Sequence, residues 1–333
     1  WRTKTNDVRY VNNYGHQGAT AADDYLTRLQ YTTSTGMVND PRWSMPDYGG
    51  LWLIDWQKEM FQEALTQNYN LSVQTGNKTS NFRASLGYLD QTGIVIKTGF
   101  QRLNLKLMGQ TTIKDRLTLA FDVAPQYSVT KGGNVSGKDN AAMSALTLAP
   151  VAEPDAGLYT GVEPYYRYMY AGSTASPVAV MERSSYSDEI VRINASATVR
   201  YKINDKLTAE GMGSWLFINR ERRRFTPGSL NREWASQPEG YYTSGNWSGS
   251  RSHKYLAQGL LTYKNKFGKH SLSGVLGASL EDMHDGTSWQ MVATQFPNDA
   301  LEGFDMNTSV LTSASTTITT DERLISYFAR AEY

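Results

Sequence analysis

Between Glu189 and Ile203 the chain alternates without a break. Val191, Ile193, Ala195, Ala197, Val199, Tyr201 and Ile203 occupy odd positions, and Arg192, Asn194, Ser196, Thr198, Arg200 and Lys202 the even ones. So long a run at a period of two fits only an extended ribbon with one apolar and one polar face. The pattern recurs in Phe82–Ala84–Leu86–Tyr88 and in Leu103–Leu105–Leu107, with Arg83, Ser85, Arg102, Asn104 and Lys106 on the other side. It continues from Leu117 to Val123, Leu207 to Phe217, Tyr255 to Tyr263, Leu272 to Leu280 and Ile325 to Tyr333, with a weaker run at Val8–Tyr14. These runs predict about ten strands of roughly 9–15 residues, longer than the ~5–6 typical of soluble sheets.

The connections sort by length. Tight turns at Asn77-Lys78, Lys114-Asp115, Asn204-Asp205 and Gly268-Lys269 alternate with excursions over 16–67, 90–99, 129–188, 220–252 and 282–322. Short turns on one edge and long loops on the other mark an outer-membrane barrel. A soluble sandwich or β-helix has no reason to segregate its loops in this way. The predicted fold class is therefore all-β, a transmembrane antiparallel β-barrel. No apolar run approaches the ~18 residues of a membrane helix.

Folding about the tight turns predicts the pairing. Val199 falls opposite Gly211, Ala197 opposite Gly213, Ile193 opposite Phe217 and Arg200 opposite Glu210. Tyr263 meets Gly274, Leu261 meets Leu276, Leu107 meets Val123 and Gly109 meets Phe121. Charges are tolerated in a barrel lumen and cost about 2–4 kcal/mol for Arg or Lys on the lipid side at the midplane. The face with Arg192, Arg200, Lys202 and Glu210 is thus expected to look inward, and the Val191–Ile203 face toward lipid. Tyr88, Phe100, Tyr127, Trp215, Phe217 and Tyr255 read as the interfacial girdle near the loops, with Tyr201, Tyr263 and Phe267 near the turns.

Composition removes several functions. The chain has no cysteine, which excludes disulfides, thiolate zinc sites and iron–sulfur clusters. With 33 basic and 32 acidic residues it is no strongly charged nucleic-acid binder. His16, His253, His270 and His284 show no metal-binding or zincin spacing, and no nucleophile elbow or phosphate loop is present, so neither enzyme activity nor a cofactor is expected. Asp139, Asp155, Asp285, Asp299 and Asp305 are loop carboxylates, but none lies in a calcium-loop pattern.

Residues 55–104 carry a motif. Asp55-Trp56, Phe61, Asn70-Leu71-Ser72-Val73 and Gly76 lead into Asn81-Phe82-Arg83-Ala84-Ser85-Leu86-Gly87-Tyr88; Gln91-Thr92-Gly93-Ile94 and Phe100-Gln101-Arg102-Leu103-Asn104 follow. This resembles the SusC/RagA family of TonB-dependent outer-membrane transporters just after the plug. Beyond this stretch only strand rhythm and loop layout continue the likeness. The resemblance implies a plugged barrel of about 22 strands, of which residues 1–333 supply a partial barrel domain without plug, signal peptide or C-terminal strands. It further implies a multi-pass protein of the bacterial outer membrane that imports oligosaccharides or oligopeptides. Its partners would be TonB, acting through the plug, a SusD-like surface lipoprotein, the bilayer and lipopolysaccharide. A passive porin or adhesin barrel is the alternative.

Candidate ligand contacts are aromatic and arginine clusters in the loops. Tyr159, Tyr165, Tyr166, Arg167 and Tyr168 lie in the 129–188 excursion, and Trp234, Tyr241, Tyr242 and Trp247 in the 220–252 excursion. Rings stack on sugar C–H faces, and arginine donates to hydroxyls or carboxylates. The same residue types dominate protein interfaces and also anchor loops, so each single ring stays open among the three roles. The Arg220, Arg222, Arg223, Arg224 run is expected to face lipopolysaccharide or solvent where a strand leaves the membrane, with binding of an acidic ligand as the alternative. Short helices are expected at Asp23–Leu29, Trp52–Leu65 and Asp139–Leu148, packed within the loop canopy.

Overall fold

The computed structural model describes residues 52–53, 56–133, 141–147, 151–152, 176–231, 238–299, 309–318 and 321–333. The runs at Val8–Tyr14 and Asp23–Leu29 lie outside them. The long strands are β2 (Thr66–Gly76), β3 (Ser80–Thr92), β4 (Gly99–Ile113), β5 (Leu117–Lys131), β7 (Ser185–Lys202), β8 (Leu207–Thr226), β9 (Ser244–Phe267) and β10 (His270–Thr294), followed by β11 (Val310–Ile318) and β12 (Glu322–Glu332). They form one ten-stranded sheet in the order β11-β10-β9-β8-β7-β5-β4-β3-β2, with β12 also on β10, and every pair described is antiparallel. β11 and β12 share one register on β10, Thr287 with Ile318 and Met283 with Glu322, so both lie along the same edge of that strand. A separate two-stranded ribbon joins β1 (Trp52–Leu53) to β6 (Val151–Ala152).

Local chemistry makes the turns. The Asn77 side-chain oxygen accepts from the Thr79 and Ser80 amides at 2.9 and 2.8 Å. Asn204 does the same for Lys206 and Leu207, both at 2.9 Å. Asx turns of this kind pin the register of the strands they join. Lys114 and Asp115 take positive φ, 49° and 55°, in the three-residue connection between the paired Ile113 and Leu117, and the Arg116 amide donates to the Ile113 carbonyl at 3.1 Å across them. All eight predicted pairings are present, from Val199–Gly211 to Gly109–Phe121. Gly109 is needed for its neighbour, because a Cβ there would lie 2.5 Å from the Phe121 ring. Pro125 breaks the β4–β5 ladder between the Asn104–Gln126 and Leu107–Val123 pairs while keeping its place opposite Ile193 on β7.

The strands are longer than their apolar runs. β8, β9 and β10 hold 20, 24 and 25 residues, so much of 220–252 and 282–322 is strand rather than loop. On β8 the apolar face runs Leu207, Ala209, Gly211, Gly213, Trp215, Phe217 and then turns polar at Asn219, Glu221 and Arg223. Ten residues at ~3.4 Å, tilted about 40°, rise about 26 Å, which matches the ~25 Å apolar band of a membrane barrel. The remainder stands above the bilayer. Leu71, Leu276 and Tyr327 are 67%, 61% and 81% exposed on the same face, surfaces that hydrocarbon rather than water covers.

The opposite face is concave. One recess of about 970 Å³ takes lining residues from β2, β3, β4, β5, β7, β8, β9 and β10. Eight strands laid flat would span about 34 Å, so only a curved wall brings them around one space. Phe100 lines this recess, which corrects its assignment to the lipid-side girdle. Its neighbour Leu103 shares a face with Tyr88 and Tyr127, and the period of two puts Phe100 on the other side.

True cores sit at the loop end. Helices α1 (Trp56–Met60), α2 (Ala141–Thr147) and α3 (Pro177–Arg183) enclose a cluster of Trp56, Met60, Val95, Ala141, Ala145, Val178 and Met181. α1 is much shorter than the helix expected over 52–65, whereas α2 falls inside the expected 139–148. α3 begins with Ser176, whose hydroxyl accepts from the Ala179 amide at 3.2 Å, and Pro177 follows in the first turn. A second cluster, Phe225, Ala293 and Phe296, closes the top of β8 and β10, with the two phenyl rings edge to face at 5.4 Å. Asp299 ties the neighbouring loops by accepting from the Gly228 and Ser229 amides at 2.7 and 3.2 Å, a structural use of that carboxylate.

Candidate functional site

The arginine run does not act as a block. Because β8 remains a strand through Thr226, Arg220, Arg222 and Arg224 take one side of it and Arg223 the other. Arg222 pairs in register with Asp188 and Arg224 with Tyr186, and both arginines line the concave recess. Arg220 Nε donates to Asp188 Oδ1 at 2.8 Å, and its Nη2 also donates to Asp188 Oδ2. Arg222 adds only a 3.4 Å contact to the same carboxylate. Asp188 is 8% exposed, and the Arg220 hydrogen bonds outweigh its burial and hold its carboxyl below the ordinary 3.8. This corrects the expectation that the run faces lipopolysaccharide or solvent together.

Arg223 takes the other face. Its Nε donates to Glu221 at 2.7 Å and its guanidinium lies 5.6 Å from the centre of the Trp247 ring. Trp247 donates its indole N–H to Glu221 at 2.9 Å and meets Trp289 edge to face at 4.9 Å. The register therefore sets Trp247 on the face opposite Arg222 and Arg224. Tyr241 and Tyr242 stack edge to face at 5.0 Å in the loop between β8 and β9. Tyr159, Tyr165, Tyr166, Arg167, Tyr168 and Trp234 lie outside the described residues.

A second recess of about 360 Å³ adjoins the first and shares Arg222, Ser248 and Gln290 with it. It adds Arg220, Ser250, Ser288, Ser315 and Thr317. Sequence reading missed these hydroxyls. They were assigned to loops, yet their spacing of two (Ser248, Ser250; Ser288, Gln290; Ser315, Thr317) is a strand signal on one polar face. Lower on the inner wall, Arg200–Glu210 at 2.6 Å and Lys106–Asp122 at 3.2 Å are ion pairs between neighbouring strands that support register.

The chain resembles known proteins in both sequence and shape. It is 22% identical over 286 residues to TonB-dependent receptor P3 of Formosa agariphila, covering 84% of this chain and 28% of that protein. It is 26% identical over 114 residues to TonB-dependent receptor SusC of Bacteroides thetaiotaomicron, covering 33% of this chain and 10% of that protein. A solved structure of the RagAB peptide importer in its closed-closed state superposes with a TM-score of 0.66 at 19% identity, over 86% of this chain and 32% of that one. No family model matches. The chain spans less than a third of the length of these proteins. The motif at 55–104, the likeness to TonB-dependent receptors and the curved antiparallel wall together make this chain similar to a section of the β-barrel of SusC/RagA-type TonB-dependent receptors.

Proposed function

We propose that the chain is a wall section of a multi-pass outer-membrane importer that takes up oligosaccharides or oligopeptides with energy supplied through TonB. Its working partner would be a SusD-like surface lipoprotein seated over the loops. One observation carries this reading: the same sheet presents a bilayer-high apolar band outside and a cation-bearing recess inside, near its loop end. That arrangement suits capture of a polar solute above a lumen. The relatives support a receptor or transporter rather than an enzyme, and the RagAB neighbour is a peptide importer, which keeps peptides among the cargo classes. In this reading, loop aromatics and lumenal polar side chains hold the cargo until a plug segment rearranges.

The test is uptake by cells carrying the full-length receptor, supplied with mixed labelled oligosaccharides and peptides, with and without TonB. Uptake lost on deleting either the receptor or TonB is the expected result. Uptake that persists without TonB would establish a passive porin instead. Affinity purification from mildly solubilised membranes is expected to bring down a lipoprotein of SusD type.

A further inference from the structure

We propose that the paired recesses at the top of the concave face form a selectivity site for anionic oligosaccharides, with Arg222 and Arg224 as its anion ligands. The inference rests on the importer reading and specifies its cargo.

Charge is the first argument. The described lining of the larger recess contains Lys131, Arg222 and Arg224 and no aspartate or glutamate. The smaller recess contributes Arg220 and Arg222, again without a lining carboxylate. The nearest acid, Asp188, is already committed to both forks of Arg220. Four cations thus stand against one satisfied carboxylate in the same stretch of wall. Arg222 gives Asp188 only a single 3.4 Å contact through Nε, which leaves the other N–H donors of its fork for a ligand, and its side chain is 46% exposed. Arg224 is exposed and forms no ion pair among the described residues. Such forks match carboxylate and sulfate groups with two parallel hydrogen bonds.

The second argument is what surrounds them. Ser248, Ser250, Ser288, Ser315 and Thr317 supply hydroxyls that both donate and accept, with Gln290 and Asn246 amides between them. A wall of this kind matches the donor and acceptor rows of a sugar chain. The larger recess also carries apolar surface at Ile94, Phe100 and Tyr186, where the C–H faces of sugar rings can rest on the two aromatic rings. The space of about 970 Å³ is large enough for several sugar units.

The experiment measures binding to the full-length receptor in nanodiscs at 50 and 300 mM salt. Probes of equal length are an oligogalacturonate for carboxylates, a sulfated oligosaccharide, neutral maltoheptaose and a Glu-rich peptide. The expected result is that at least one anionic sugar binds about tenfold or more tighter than maltoheptaose and weakens with salt. In Arg222→Gln/Arg224→Gln that preference should fall by about 10–100-fold, the scale of losing charge-assisted hydrogen bonds. Arg223→Gln removes the same charge from the other face and should leave binding unchanged. Equal losses in Arg223→Gln and the double variant, equal binding of neutral and anionic sugars, or preference for the acidic peptide would each overturn the proposal. The wild-type salt and probe comparison decides the matter even if the double variant does not fold. TonB-dependent uptake with a neutral preference would sink this inference and leave the importer standing; loss of TonB dependence would remove the importer itself.

Discussion

Replacing Val199 by arginine probes the facing of the whole wall. Val199 is 48% exposed on the apolar face, opposite Leu119 and Gly211, and one outward position below Ala197 at the middle of the Val191–Ile203 run. Two residues at ~3.4 Å, tilted about 40°, place it about 5 Å from the midplane. Arginine at the midplane costs about 2–4 kcal/mol and less toward the interfaces. The expected loss is therefore about 2–3 kcal/mol, roughly 30- to 150-fold in the folding equilibrium. Thr198→Arg is the matched control, since Thr198 lies between Ala120 and Met212 on the concave face, where the side chain reaches water. Its cost should stay under about 1 kcal/mol. The assay is urea unfolding of the full-length receptor in lipid vesicles, read as heat-modifiable migration on gels. Equal midpoints for the two variants, or a larger loss in Thr198→Arg, would refute the inside-out facing.

Three further outcomes follow from other parts of the molecule. Gly240 has φ +78°, and a Cβ there would sit 1.6 Å from the Phe296 carbonyl oxygen; Gly240→Ala should detach the 295–299 segment, seen as faster proteolysis there with the sheet intact. Trp56→Ala empties the centre of the helical canopy, where Trp56 is 2% exposed, and should cost about 3–5 kcal/mol locally, speeding amide exchange in α2 and α3 but not in β9. Asp188 has a lowered carboxyl pKa, so its stabilising effect is full above the ordinary 3.8 and disappears as pH falls through the lower folded value. Wild-type stability should accordingly drop in that acid window while Asp188→Asn, weaker at neutral pH, shows a flatter profile by urea titration.

The apolar part of the wall was legible because one rule governs it. Where lipid meets one face and water the other, alternation is strict, and the Asn77 and Asn204 turns then set the pairing without ambiguity. Above the bilayer that rule lapses. Both faces of β8 turn polar at Asn219–Arg224, so the strand goes on with no contrast to mark it, and the arginines look like a single block. The recess hydroxyls were hidden for the same reason. Phe100 was misplaced because position at a strand end was weighed above parity. The Ser176–Pro177 start of α3 was a readable cap signal that the surrounding loop composition masked. The recess itself needs strands from Thr66 to Gln290 to curve around one space, a property of the whole sheet that no local window contains.

The missing rung beside Pro125 has a consequence for where water reaches. An imide nitrogen cannot donate, so on the β4 side one carbonyl is left without its amide. Stranded in the oily centre of a leaflet, that oxygen would be severely penalised. Pro125 lies two residues from Tyr127, close to the headgroups, where a water molecule can take the vacant role. Slow deuteration elsewhere along β4 and β5, with rapid exchange confined to this level, would reveal a small hydrated notch in an otherwise dry seam.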